Sequence, residues 1–192
     1  GYYDRLLKIA EGAALATATE HKVTLLTGVH SMLLNRPLQE AMQANLEYVG
    51  GPKFTDEDQA FAKALQAYLG IEEKGLEADP KPLKDEVEPP GGGSTDVAEV
   101  SRITPVVSLN VTTAAAGIPW HSWATSASHG TEGSVKGAEV AAKVLALTGV
   151  DLLLDPDLVK AARVFFDEKT EGKPYVSPVP ADQKPPMPRK GG

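Results

Sequence analysis

The sequence predicts an α/β chain, because amphipathic helical periodicities alternate with two runs of strand character. Leu6, Leu7, Ala10, Ala13, Ala14 and Leu15 recur at three and four, the spacing of one helical face. His21 to Thr27 and Val106 to Ala116 are instead rich in β-branched residues, and Gly28 closes the first run. The opening stretch, a helix followed by a strand, reads as a small α+β unit.

The remaining elements follow in order. Pro37 suits the first turn of a helix whose stripe is Leu38, Ala41, Met42, Leu46 and Val49, with Gly50-Gly51-Pro52 ending it. Thr55 and Asp58 make a capping-box start for a helix to about Leu69, with Phe61, Ala64, Leu65 and Tyr68 as its inner face and Gly70 as its stop. Residues 71–93 lose all periodicity in favour of acidic residues, prolines and three consecutive glycines, which describes a long surface loop, functional or mobile. A Ser/Gly-rich turn through Ser126, Ser128, His129 and Gly130 precedes a helix carrying Val135, Ala138, Ala141, Ala142, Leu145 and Leu152. Asp155 caps a last helix with Pro156 at its first position and Leu158, Ala161, Ala162 and Phe165 inside. Beyond Gly172 the proline-rich chain reads as extended or partly disordered.

Composition sets the outer bounds. With 42% hydrophobic and 23% charged residues in 192, the chain can bury a real core. Its net charge of −7 offers no attraction to nucleic acid or to an anionic membrane, so neither is an expected partner. No run approaches the length that crosses a bilayer, and no signal segment opens the chain. The absence of cysteine removes disulfides, thiol nucleophiles and thiolate metal sites, and fits a cytoplasmic protein. Gly1 leads almost directly into helical periodicity, which reads as part of a longer polypeptide.

Both tryptophans flank one histidine, in Pro119-Trp120-His121-Ser122-Trp123. An imidazole fixed between two aromatic plates and kept partly dry suits a metal ligand or a general base, while ordinary aromatic packing is the alternative. Gly91 to Asp96 lacks the lysine and spacing of a phosphate loop, and no Gly-x-Ser-x-Gly elbow supports a serine hydrolase. Asp96 and Glu99, three apart, would share one face of a helical turn, as acid–base work or a solvated helix start both allow.

Several runs together carry a resemblance. They are Gly93-Ser94-Thr95-Asp96-Val97-Ala98-Glu99-Val100-Ser101, Thr104-Pro105, Gly117-Ile118-Pro119-Trp120-His121-Ser122-Trp123, Lys136-Gly137, Ala141-Ala142-Lys143-Val144, Asp151-Leu152-Leu153 and Asp155-Pro156. Upstream, Ile9 to Ala14, Asn35, Asn45-Leu46, Val49-Gly50, Pro52 and Phe54-Thr55 continue it, as do Pro174-Tyr175 and Pro178-Val179-Pro180 in the tail. The sequence resembles the C-terminal part of the aminobenzoyl-glutamate-utilising amidohydrolases, within the aminoacylase and carboxypeptidase-type metallopeptidases.

That resemblance implies an α/β fold, the C-terminal part of a mixed-sheet catalytic domain preceded by the end of an α+β, ferredoxin-like lid or dimerisation domain. Residues 1–48 would end the lid, 49–172 would belong to the catalytic domain, and 173–192 would form an extended proline-rich tail. It implies hydrolysis of the amide of an N-acyl or N-aroyl amino acid, or of a small peptide, with two divalent metal ions, zinc first and manganese second. His121 would be a metal ligand. Asp96, Asn35, Trp120 and Trp123 would shape the substrate pocket, Asn35 across a dimer.

The family's bridging aspartate, paired glutamates and first histidine have no counterpart in this sequence. The implied partner is therefore the N-terminal remainder of the enzyme, in the same or a separate chain, with a homodimer or hetero-oligomer through the lid. A non-catalytic subunit contributing dimer and substrate contacts is the alternative. The sequence departs from the family pattern at Ala98-Glu99, Arg102 and Val135, where relatives commonly have Gly-Asp, Trp and His. His21, His30 and His129 have no match and read as solvated loop histidines.

Overall fold

The computed structural model describes residues 1–84 and 93–184, so residues 85–92 of the acidic loop, with Gly91 and Gly92, and 185–192 of the tail lie outside it. Among the described residues seven helices follow one another: α1 Tyr2–Ala16, α2 Arg36–Val49, α3 Asp56–Leu69, α4 Val97–Val100, α5 Trp123–His129, α6 Glu132–Leu154 and α7 Pro156–Thr170. Among the described residues the one β-pairing is an isolated parallel bridge between Leu34 and Val106.

The expected α/β, mixed-sheet architecture is therefore corrected to a helical one. Residues 21–27 and 107–115 run without assigned strand. Alternating β-branched residues make a strand only where a neighbouring segment satisfies their backbone, and among the described residues none pairs with these runs. The alternation still has meaning in 107–111: Val107, Leu109 and Val111 all pack on the cluster formed by Met42 and Leu46 of α2 with Val140 and Val144 of α6. The expected serine-rich turn is a helix as well, since Ser126, Ser128 and His129 belong to α5 and Ala124 anchors it in full burial.

The chain divides into two compact units. In the first, residues 1–30 associate with residues 175–184 of the tail. The tail is not detached: the ring of Tyr175 meets that of His30 edge-on at 5.9 Å, and a Cβ placed on Gly28 would lie 2.9 Å from Pro178.

The second unit, 31–174, contains α2 to α7. Local signals set most of its helix starts. Asn35 caps α2 ahead of a first-turn proline, Thr55 and Asp58 form the full capping box of α3, and Asp155 accepts the backbone N–H groups of Asp157 and Leu158. The inner face of α2 is as the periodicity predicts, with Leu38, Met42 and Leu46 buried. The others turn differently. α3 buries Ala62, Leu65 and Gln66 and leaves Phe61 and Tyr68 exposed, α6 buries Gly133, Gly137, Val140, Val144 and Thr148, and α7 buries Ala162 and Phe166. Small faces let α6 approach α2 and the extended run closely, whereas hydropathy assigns no weight to glycine.

Polar ties join the elements. Asn45 of α2 donates to Asp151 at 2.6 Å and to Thr148 at 3.2 Å on α6. Ser101 is fully buried, donates to the Ala98 carbonyl and accepts the Leu33 N–H at 2.8 Å, while Arg102 donates to the Ser31 carbonyl. The Asp58 carboxylate, besides capping α3, pairs with Lys136 of α6.

That pairing, followed by the hydrogen bond from the Thr55 backbone, holds the Asp58 carboxyl below its ordinary 3.8, against an opposing effect of burial. The unfolded chain then takes up the proton first. The stabilisation is complete above the unfolded value and is lost as pH falls through it towards the lowered folded value. Asp58→Asn is expected to flatten this acid limb, which acid titration of the helical circular dichroism of both proteins would measure; an unchanged limb would remove Asp58 from the account. No helix among the described residues is long and apolar enough to cross a membrane.

Candidate functional site

The run 114–124 is built around two buried anchors. Ile118 and Ala124 both enter a cluster with Ala62 and Leu65 of α3, Leu76 and Ala115. Between them the chain must turn sharply, and it does so with left-handed backbone at Gly117 (φ 74°) and His121 (φ 58°). Glycine adopts such a φ freely, and histidine is among the residues enriched there. The Pro119 carbonyl accepts the hydroxyls of Ser122 (2.6 Å) and Thr125 (2.8 Å), fixing the turn to the start of α5.

His121 is exposed at the apex of that turn. The two tryptophans do not sandwich it. Trp123 meets Tyr68 edge-on, with centroids 5.6 Å apart, and Trp120 lies 6.0 Å from the ring of His129. Each indole thus belongs to a different surface. Trp123 joins Phe61, Ala64, Leu65, Tyr68 and Ala127 around an apolar recess of about 480 Å³. Trp120 lines a groove of about 1060 Å³ whose floor is the extended run 107–118 and whose walls include α2 and residues 78–84.

Two glutamines that the periodicity passes over pin the segment at Gly75 and Leu76, and one of them also holds the groove floor at Ala116. Gln66 is fully buried; its side-chain amide donates to the Ala116 carbonyl (2.7 Å) and its oxygen accepts the Gly75 N–H (2.7 Å). Gln59, seven residues earlier and so on the same face, brackets Leu76, donating to its carbonyl and accepting its N–H. The first part of the expected long loop is therefore a pinned segment, and the i, i+7 spacing of the two glutamines was the signal available in the sequence.

The other candidates lie elsewhere. Asn35 is buried, accepts the Leu38 N–H and donates to the Ala162 carbonyl at 2.8 Å, which ties the start of α2 to α7. Asp96 is exposed at the start of α4. Neither lines the groove, and neither do His121 and Trp123. His129, read as a solvated loop histidine, instead ends α5, with its Nε2 3.2 Å from the Thr113 hydroxyl. Among the described residues no three His, Cys, Asp or Glu side chains gather into a group able to hold a metal ion.

No protein-family model and no solved structure matches the sequence. It is 33% identical to the B subunit of p-aminobenzoyl-glutamate hydrolase from Escherichia coli (strain K12), across 95% of this chain. The match covers 43% of that relative, so the chain spans less than half of the relative's length. The chain belongs to the family of the p-aminobenzoyl-glutamate hydrolase B subunit.

Proposed function

We propose that the chain is part of a metal-dependent amidohydrolase that cleaves the amide bond of an N-aroyl or N-acyl amino acid, of the p-aminobenzoyl-glutamate kind, in the cytoplasm. The observation that carries this reading is the identity of 33%, which runs through nearly the whole chain rather than one motif. His121 is the residue of this chain best suited to a metal: an exposed imidazole on a turn anchored at both ends can present a nitrogen without rearrangement. A zinc or manganese ion there would supply electrophilic activation of the amide carbonyl. The remaining ligands would come from further polypeptide, in the same or another subunit.

A second reading has its own support. With no three-donor group among the described residues, the chain would act as a non-catalytic subunit that shapes substrate contacts through the groove. Replacing His121 by Ala separates the two. The metallohydrolase reading expects the assembled enzyme to lose bound metal and at least about a hundredfold in kcat/KM. Unchanged metal content and turnover would overturn it in favour of the non-catalytic reading.

A further inference from the structure

Residues 119–125 depart in three ways from what this fold does elsewhere. Left-handed non-glycine backbone occurs, among the described residues, at Ala18, His121 and Glu171. Ala18 and Glu171 follow the ends of α1 and α7, the ordinary place for it, whereas His121 lies ahead of a helix. Ser122 occupies the N-cap of α5 without making a cap hydrogen bond, although Asn35, Thr55, Thr131 and Asp155 each accept a backbone N–H of the helix they begin. Thr148 and Thr170 donate to the carbonyl four residues back in their own helices, while Thr125 reaches six residues back.

Both diverted hydroxyls end on one atom. The Pro119 carbonyl oxygen accepts Ser122 at 2.6 Å and Thr125 at 2.8 Å, which closes rings across Trp120 and His121. One side of the closure is rooted in the core, since Thr125 is 9% exposed and its neighbour Ala124 is fully buried. A hydroxyl turned away from its cap does nothing for α5. What it fixes is the peptide group that leads into Trp120 and the exposed imidazole of His121.

We propose that Thr125, with Ser122, is a positioning residue for His121: the paired hydroxyls hold the turn closed, so that the imidazole meets a metal without a search over backbone conformations. The inference rests on the metallohydrolase reading and deepens it by naming the groups behind the ligand. Thr125 is the stronger of the two, because its hydroxyl is carried on helical backbone that Ala124 anchors, whereas Ser122 moves with the turn itself. A ligand held in place by packed neighbours binds more tightly, because ordering is not left to the binding step.

Zinc is the probe. Its affinity for the assembled enzyme is measured by competition with a chromophoric chelator, and the order parameter of the His121 amide is measured by nitrogen relaxation in the metal-free full chain. In the parent that order parameter is expected near 0.85, the value of rigid backbone. Thr125→Val keeps the shape and removes the hydroxyl. It should weaken zinc binding by at least about tenfold and, combined with Ser122→Ala, bring the His121 order parameter below about 0.6. Thr125→Ser should restore the parental affinity. A threonine that served the fold alone would lower the melting temperature and leave zinc affinity where it was.

Parental zinc affinity in Thr125→Val, no recovery in Thr125→Ser, or an ordered His121 in the double variant overturns the proposal. If valine costs the chain its helical circular dichroism, Ser122→Ala alone carries the same expectation and the same refutation. His121→Ala separates the inference from the reading beneath it. Zinc retained by that variant sinks the metal assignment itself, whereas zinc lost there but held by Thr125→Val removes the positioning role alone.

Discussion

Gly137→Ala is expected to destabilise the protein by about 3 kcal/mol, even though helix propensity alone favours alanine there by about 1 kcal/mol. The sign is set by contact. A Cβ on Gly137 would lie 2.1 Å from the Thr112 carbonyl oxygen and 2.9 Å from the Thr113 methyl, and backbone cannot swing aside as a flexible side chain can. α6 or the groove floor must move. Urea unfolding followed by circular dichroism measures the change, and Gly149→Ala on the same helix is the control. Nothing lies within 4 Å of a Cβ at Gly149, so that variant should be neutral or more stable by up to about 1 kcal/mol. A Gly137→Ala protein as stable as the parent would show that α6 does not rest on the Thr112 backbone.

Gln66→Leu is the second large effect. Leucine has nearly the volume of glutamine, so little cavity results and the loss isolates the hydrogen bonds. The Gly75 N–H loses its side-chain partner in a buried environment and the Ala116 carbonyl in a part-buried one. Stranding buried groups costs about 1–3 kcal/mol each, so a total near 3 kcal/mol is expected. The consequence should also be local. Amide exchange at Gly75 should accelerate beyond that of α2, because the segment loses its pin before the unit unfolds. Equal protection at both places would mean that Gln66 contributes only to global stability.

How much of this was legible depends on the range of each signal. Caps at Thr55 and Asp155 were readable because an N-cap is satisfied within three residues, whereas Asn35, expected in the substrate pocket, is the cap of α2. The inner face of α2 was readable because its partners are large and apolar. The faces of α3 and α6 were not, since their closest approaches use Ala62, Gly133 and Gly137, which a hydropathy pattern ranks below exposed Phe61 or Leu145. The strand expected over Val106 to Ala116 did not form, because β-branched composition and the alternation of Val107, Leu109 and Val111 report a buried face and say nothing about whether another strand pairs with it. At the site, a histidine between the only two tryptophans stood out in sequence. The contacts of His129 did not, because they join it to Thr113 and Trp120 across the turn at Gly117 and His121.

If His121 holds a metal as proposed, its left-handed backbone places folding and chemistry in opposition at one residue. A non-glycine side chain in that conformation costs about 1–2 kcal/mol, although histidine tolerates it better than most. Glycine would take the same turn without penalty. A selection for thermal stability alone would therefore drift towards discarding the imidazole, while a selection for turnover would hold it against that gradient, so the two selections applied to one library should diverge first at this position.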